Sequence, residues 1–221
     1  MTLFILLLLI FFFPFLMSLF LLPIGYLTYA LLNLLTVPLQ IIEIATNKPL
    51  RKNHALEHAT INVIEEKWGR RGVLSGYARE NGYYIIGPVD PETLEWASHE
   101  AWERLARGEA NLAIHSRCGT SIAVASFTTA VIFILLLVFT RKMNIFLEIA
   151  VAILLGQILG PFLGEFTQKY FTTDPDVRNV RIVGVEYDLS HLYGPFGIVY
   201  PARPSTFFVR TTYLREVKVF E

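Results

Sequence analysis

The chain has 221 residues, of which 53% are hydrophobic and 17% charged; its mean hydropathy is +0.47. The charged share falls below the roughly 25% of soluble domains, the pattern of a chain partly solvated by lipid. Nineteen basic side chains balance nineteen acidic ones, which excludes the basic field that recruits nucleic acid, and a single cysteine, Cys118, excludes an internal disulfide.

In chain order, the apolar run from Leu3 to Leu21 comes first, with Pro14 inside it. It lacks the basic start and the cleavage pattern of a signal peptide and reads as a retained anchor. A second run, Ile24 to Ala45, follows after Leu22 and Pro23 alone. The third run is Gly119 to Thr140 and the fourth Ile145 to Phe166. Each is long enough for a helix to cross a hydrocarbon core of about 30 Å. The expectation is four transmembrane helices, the first pair forming either a hairpin of full spans or a re-entrant one. Lys48, Arg51, Lys52, Arg117 and Lys169 flank one side, against Arg141 and Lys142 on the other. That bias predicts a cell-membrane protein whose central domain, tail and both termini are cytoplasmic. Gly156, Gly160 and Gly164 recur every fourth residue in the fourth run, a stripe that lets a second helix approach closely. Its expected partner is the third run, a second copy of the chain or another membrane protein, with membrane lipids around them. Glu148 and Glu165 lie near the ends of that run, where interfacial solvation and a functional role are both open.

Between the second and third runs, His54 to Trp68 reads as a helix that Gly69 ends. Val73 to Ala78 and Tyr83 to Ile86 read as a hairpin around Asn81 and Gly82. Asp90 caps a second helix that opens with Pro91 and reaches about Gly108. Asn111 to Ile114 reads as a brief extended piece. After the fourth run, Val180 to Tyr187, Thr206 to Thr212 and Val217 to Phe220 read as strands, joined by a loop from Ser190 to Pro204 that contains His191, a surface histidine. The fold class expected is an α-helical integral membrane protein with a small α+β cytoplasmic domain and a β-rich C-terminal tail. Its divisions are 1–46 (helical hairpin), 47–118 (α+β domain), 119–167 (helical pair) and 168–221 (tail). Trp68, Trp96 and Trp102 read as anchors in the core or at the interface, His99 as exposed, and Gly69 to Gly72 as a solvated basic turn.

The residues that point to chemistry are His54, Glu57 and His58. Positions i, i+3 and i+4 share one helix face, so both imidazoles can bind one ion with a carboxylate beside them to take a proton from water. This is the H-x-x-E-H spacing of inverted zincins. His115 and Cys118 form a second element, three residues apart, where the chain re-enters the lipid. Zinc suits a set of imidazole and thiolate donors best, with another divalent metal possible in its place.

Together these two elements resemble a family of uncharacterised bacterial membrane proteins with cyanobacterial members. They are also similar to a related multi-span family described as predicted metal-dependent enzymes. The resemblance covers roughly Asn53 to Thr173, including Gly160 to Gly164 and Gln168 to Thr173. It implies a metal site at His54, His58, His115 and Cys118 with Glu57 as base, and it implies no substrate. Three functions stay open on the sequence. One is a zinc-dependent hydrolase at the membrane surface, acting on a peptide or on a lipid-linked amide or ester. Another is a closed, structural zinc site in a scaffold or assembly factor. The third is a metal-free protein in which His115 activates Cys118.

Overall fold

The computed structural model describes residues 2–140, 144–187 and 206–214. The expected Ser190–Pro204 loop with His191, and the expected strand at Val217 to Phe220, lie outside them. The chain divides into two units, residues 1–39 with 122–163, and residues 40–121 with 164–221.

The N-terminal apolar residues form one helix, α1 (Thr2–Thr46), with Pro14, Pro23 and Pro38 inside it. The two runs expected there therefore lie on a single helix and make no hairpin. Two residues, Leu22 and Pro23, are a minimal connection for an αα-hairpin, and proline is tolerated within apolar helices. At 1.5 Å per residue its 45 residues extend about 67 Å, more than twice a hydrocarbon core. Two further apolar helices are α4 (Gly119–Phe139) and α5 (Ile145–Thr167). Among the described residues, three helices are thus long and apolar enough to cross a membrane, where four were expected, the pattern of a membrane protein.

In the first unit, Ala30, Ala130, Phe133, Ile149 and Ala152 are buried together, and Tyr26 meets Phe133 edge-on at 4.9 Å. Side chains added at Gly156 and Gly160 would strike Thr129 and Ala125. Those two glycines serve the close approach of α5 to α4 within the chain. Glu148 is buried and accepts from the Thr140 hydroxyl at 2.9 Å, so of the two readings left open for it, solvation is not met.

The second unit is built on α2 (Lys48–Trp68), capped by the Asn47 side chain and ended by Gly69 at φ +63°. It starts at Lys48 rather than at His54 as the histidine pattern predicts, because Asn47 and Pro49 supply a start signal of their own. The hairpin β1 (Ser75–Arg79) and β2 (Gly82–Ile86) follows, then α3 (Pro91–Ala106) with its Asp90 cap. Residues Ala110–Ala113 form a 3-10 turn where an extended piece was expected. A π-helical turn, Gln168–Thr172, continues α5. Last come β3 (Val180–Tyr187) and β4 (Thr206–Tyr213).

The expected division between an α+β domain and a separate β-rich tail dissolves here. The four strands form one antiparallel sheet in the order β1-β2-β4-β3, with β4 paired to β2 from Gly82↔Arg210 to Ile86↔Thr206. Leu56, Ile64, Tyr83, Ile85, Leu94, Val177, Val180, Phe207 and Val209 share one core. The tail strands complete that core, since a lone two-strand hairpin could not cover α2 and α3. Trp102 donates its indole N–H to Val177 O at 3.0 Å. Trp68 packs on the core, and Trp96 lies exposed under Lys67 at 4.1 Å. His99 is exposed, as are Arg70 and Arg71.

Candidate metal centre

α2 carries the site, and it is buried from Lys52 to Ile61. Its flank is fixed by polar side chains that reach other elements. Asn53 donates to Arg79 O and Glu80 O and accepts from the Thr211 hydroxyl. Lys52 donates to Asp176 O and to Asn179 Oδ1, and Arg51 donates to Thr173 O at 3.0 Å. These contacts satisfy buried polar groups that would otherwise cost several kcal/mol (on the order of 1–3 each), and they hold the helix face in one place.

On that face the rings of His54 and His58 lie 4.3 Å apart. Nδ1 of His54 meets Thr172 O at 2.9 Å, and Nδ1 of His58 meets Ala113 O at 2.8 Å. A carbonyl can only accept, so both Nδ1 atoms carry protons and both Nε2 atoms point inward. A metal-binding histidine is oriented in this way, its second nitrogen donating to a carbonyl. The π-helical turn brings Thr172 O into position, and such turns recur at functional sites.

Cys118 immediately precedes α4, and its Sγ accepts from Thr120 N–H at 3.3 Å. The sulfur stands 3.2 Å from His54 Nε2. The ligand atoms of His54, His58 and Cys118 all lie within 4.8 Å of one another. With zinc–sulfur and zinc–nitrogen bonds of about 2.3 and 2.0 Å, a tetrahedral site has N···S edges of about 3.5 Å. The trio needs only small side-chain shifts to meet that figure. His58 Nε2 supplies the test of fit: it is buried and has no hydrogen-bond partner. A cation at the trio gives that lone pair a partner, so the residues present fit a metal ion.

Burial pushes the Cys118 thiol up, but His58 and His54 outweigh it and hold the group down to about 4. Burial lowers His54 while the bond to Cys118 and its charge raise it, to about 9 overall. Thiolate and imidazolium thus pair, and a metal ion would displace the imidazolium proton. Glu57 is buried beside them, and burial raises its carboxyl above the ordinary range against the pull of His58 and His54. Glu57, His54 and Cys118 line a pocket of about 210 Å³ with Ile44, Leu50, Gly76, Tyr77, Ala78, Gly119 and Thr120. Gly76 makes room for the carboxylate, since a Cβ there would come 2.8 Å from Glu57 Oε1.

His115, the fourth ligand expected from the sequence, stands apart from the trio. Its Nε2 faces Glu65 Oε2 at 3.6 Å, and its ring lies 5.9 Å from that of His58. Glu65 is a buried acid one further stretch along α2, and it also accepts from Gly72 N–H. Buried carboxylates demand partners, and His115 supplies one. Burial in turn lowers the His115 pKa, with His58 adding to the effect. The backbone around His115 is set by Asn62, which donates to Leu112 O and Ile114 O at 2.9 Å, and by Gln168, which accepts from His115 N–H at 2.9 Å and donates to Ser121 Oγ. Asn62 and Gln168 are the supports that motif spacing misses. The signal available for them is their amide side chains within otherwise apolar helix faces.

No solved structure matches this chain. An uncharacterised protein of Picosynechococcus sp. (strain PCC 7002) is 43% identical over 89 residues, covering 37% of this chain and 43% of that protein; the matched part is thus under half of the relative's length. The model of a family described as a domain of unknown function, DUF6391, matches residues 49–185. That range reaches into β3, so it extends past Thr173, where the resemblance read from the motifs stopped. With more than half of its length inside this match, and with the whole trio and Glu57 within it, the chain belongs to the DUF6391 family.

Proposed function

We propose that this protein is a metal-dependent hydrolase, with zinc as the best-suited ion, held by His54, His58 and Cys118 beside Glu57. The observation that carries the reading is the convergence of two oriented Nε2 atoms and the Cys118 sulfur within 4.8 Å, with the His58 nitrogen making no hydrogen bond. Three protein ligands with one position left open is the arrangement of catalytic zinc, whereas structural zinc is closed by four. His115, engaged with Glu65, leaves that fourth position to the pocket. The ion would polarise a carbonyl and acidify water toward neutrality. Glu57 then takes the proton from that water and returns it to the leaving group, a task that its raised pKa suits. The carbonyls of Thr172 and Ala113 fix the ligand rings, and Ile44 and Leu50 wall the pocket with apolar surface. In this reading the substrate is a peptide or a lipid-linked amide or ester, and the site opens on the cytoplasmic face of the cell membrane, where the basic residues Lys48, Arg51 and Lys52 lie.

The 3.2 Å His54–Cys118 contact favours one other reading, a metal-free cysteine nucleophile activated by His54. Cobalt(II) added to the detergent-purified full chain separates the two. The hydrolase reading expects one ion per chain and a thiolate-to-cobalt absorption band that Cys118→Ser removes. It expects Glu57→Gln to keep the ion and abolish turnover. No ion bound above background would establish the nucleophile reading, and loss of the ion in Glu57→Gln would make Glu57 a ligand and remove the base.

A further inference from the structure

β1 closes one end of the sheet, in the order β1-β2-β4-β3. Which of its backbone groups face the open side follows from the pairing. Thr211 N–H donates to Asn81 O, so the odd-numbered residues of β4 turn toward β2. Val209 pairs with Tyr83 and Phe207 with Ile85, which commits Tyr83 and Ile85 to β4. Hydrogen-bonding direction alternates along a strand, so Gly82, Tyr84 and Ile86 turn toward β1. Their partners there are Arg79, Tyr77 and Ser75. The two residues between, Gly76 and Ala78, therefore turn their N–H and C=O groups outward. Among the described residues nothing outside the ladder bonds to either backbone, and β1 alternates between exposed and half-buried positions.

Those same two residues line the pocket with His54, Glu57 and Cys118. A row of unpaired backbone groups thus borders the candidate catalytic carboxylate. Two donors and two acceptors repeat there at the two-residue spacing of a strand. An extended polypeptide presents the complementary donor and acceptor at every second residue, whereas an acyl ester carries no donor at all.

We propose that the free edge of β1, at Gly76 and Ala78, binds an extended polypeptide as a fifth strand and delivers one of its peptide bonds to Glu57. The inference rests on the hydrolase reading for its chemistry and narrows the substrate class to polypeptide. Hydrolysis consumes one water. The peptide C–N bond breaks, the water oxygen joins the carbonyl carbon, and Glu57 carries the water proton to the departing amine nitrogen. No oxidant or reductant takes part.

The test uses the full chain in detergent with Glu57→Gln, so that a bound probe is not cut. The probe is fluorescein-labelled, reduced and alkylated casein, followed by anisotropy. It binds, and adding Ala78→Pro weakens binding about ten-fold, the worth of one or two backbone hydrogen bonds, with metal content unchanged. Proline suits this position because the N–H it removes faces outward. A second measurement needs no mutant fold. The best-binding tryptic fragment of that casein is made twice, with N-methyl groups on alternate residues in each of the two phases. A strand contact makes one phase lose binding and the other keep it. Absence of casein binding, equal binding by both phases, or unaltered binding by Ala78→Pro overturns the polypeptide edge; the hydrolase reading survives that result if the wild type still cleaves p-nitrophenyl acetate in a metal- and Glu57-dependent manner. Phase-dependent binding by a chain that takes up no metal would keep the edge and overturn the hydrolase.

Discussion

The two units treat polar side chains in opposite ways. In the apolar helices of the first unit, the hydroxyls of Thr28, Thr36, Thr128 and Thr129 bond to carbonyls four residues back on their own helix. These four hydroxyls are satisfied within their own helices, as a lipid surrounding favours, and the Thr140–Glu148 bond is the exception. In the second unit the buried polar side chains reach across the chain. Asn53 reaches Arg79 and Thr211, Asn62 reaches Leu112 and Ile114, and Gln168 reaches His115 and Ser121. Long-range polar contacts specify a unique arrangement that apolar packing alone leaves loose. The candidate chemistry sits in the second unit, where the rings of His54 and His58 and the carboxylate of Glu65 are held by partners distant in sequence.

The largest effect that separates the two regions is in the response to losing a leucine. Leu56 is fully buried in the core of the second unit, and Leu56→Ala is expected to cost about 2–5 kcal/mol. Leu35 is 68% exposed on α1, where lipid or detergent chains replace the protein as its surroundings. Leu35→Ala should change stability by less than about 0.5 kcal/mol. Denaturant unfolding of both variants in detergent, read by tryptophan fluorescence, makes the comparison. Equal losses would show that the two regions share one kind of core, and the contrast drawn here would fail.

Next in size is a change aimed at the site. A Cβ at Gly76 would crowd the Glu57 carboxylate at 2.8 Å and also Tyr84 O. Misplacement of a reacting group by about 1 Å can cost on the order of 100-fold in rate. On the hydrolase reading, Gly76→Ala is therefore expected to reduce turnover by that factor while the cobalt spectrum of the trio stays unchanged. A spectrum altered along with the rate would place Gly76 in support of the ligands and not of the base.

Much of this site was legible in the sequence. His54, Glu57 and His58 announce their shared face through spacing alone, because a helix converts i, i+3 and i+4 into proximity. Cys118 announced itself as the one thiol at the start of an apolar helix. What the spacing could not give was His115, whose place depends on a buried acid fifty residues earlier, Glu65. Nor could it give Thr172 and Ala113, which act through backbone carbonyls and so leave no mark on residue type. The strands β3 and β4 were visible as β-branched and aromatic runs, but their insertion beside β2 was not. Pairing between Tyr83 and Val209 spans 126 positions, and no local pattern encodes a partner so distant. The expected N-terminal hairpin failed for the opposite reason: Pro23 is a strong local signal for a break, yet an apolar helix tolerates it.

A third experiment sharpens the comparison inside the first unit. A side chain at Gly156 would collide with Thr129. Gly156→Leu forces α4 and α5 apart, and overpacking of this kind costs about 1–3 kcal/mol. Gly25 on α1, around which a Cβ meets nothing within 4 Å, serves as control. Its leucine variant should melt at the wild-type temperature in detergent, with Gly156→Leu melting lower. Equal melting would mean that the glycine stripe is not used for packing within the chain.

The smallest effect belongs to the Asp90 cap of α3. Its carboxylate accepts from Thr93 N–H at 2.8 Å, and hydrogen bonds from Thr93 hold the carboxyl below the usual carboxylate range. Asp90→Ala is expected to cost about 1 kcal/mol at neutral pH, the worth of one N-cap. A depressed folded-state value means that the unfolded chain takes up its proton first as pH falls. The stabilisation is therefore complete above the ordinary aspartate value of about 3.9 and disappears as pH drops through the lower, folded value. The stability difference between wild type and Asp90→Ala, measured by urea unfolding, should stay constant from neutrality to about pH 5 and shrink only below about pH 4. A difference that shrinks with rising pH instead would mean that the capping interaction belongs to the protonated acid. Because the cap lies on exposed helix and its partner is a local backbone group, this loss should leave cobalt binding by the trio untouched, which marks it off from every long-range contact around α2.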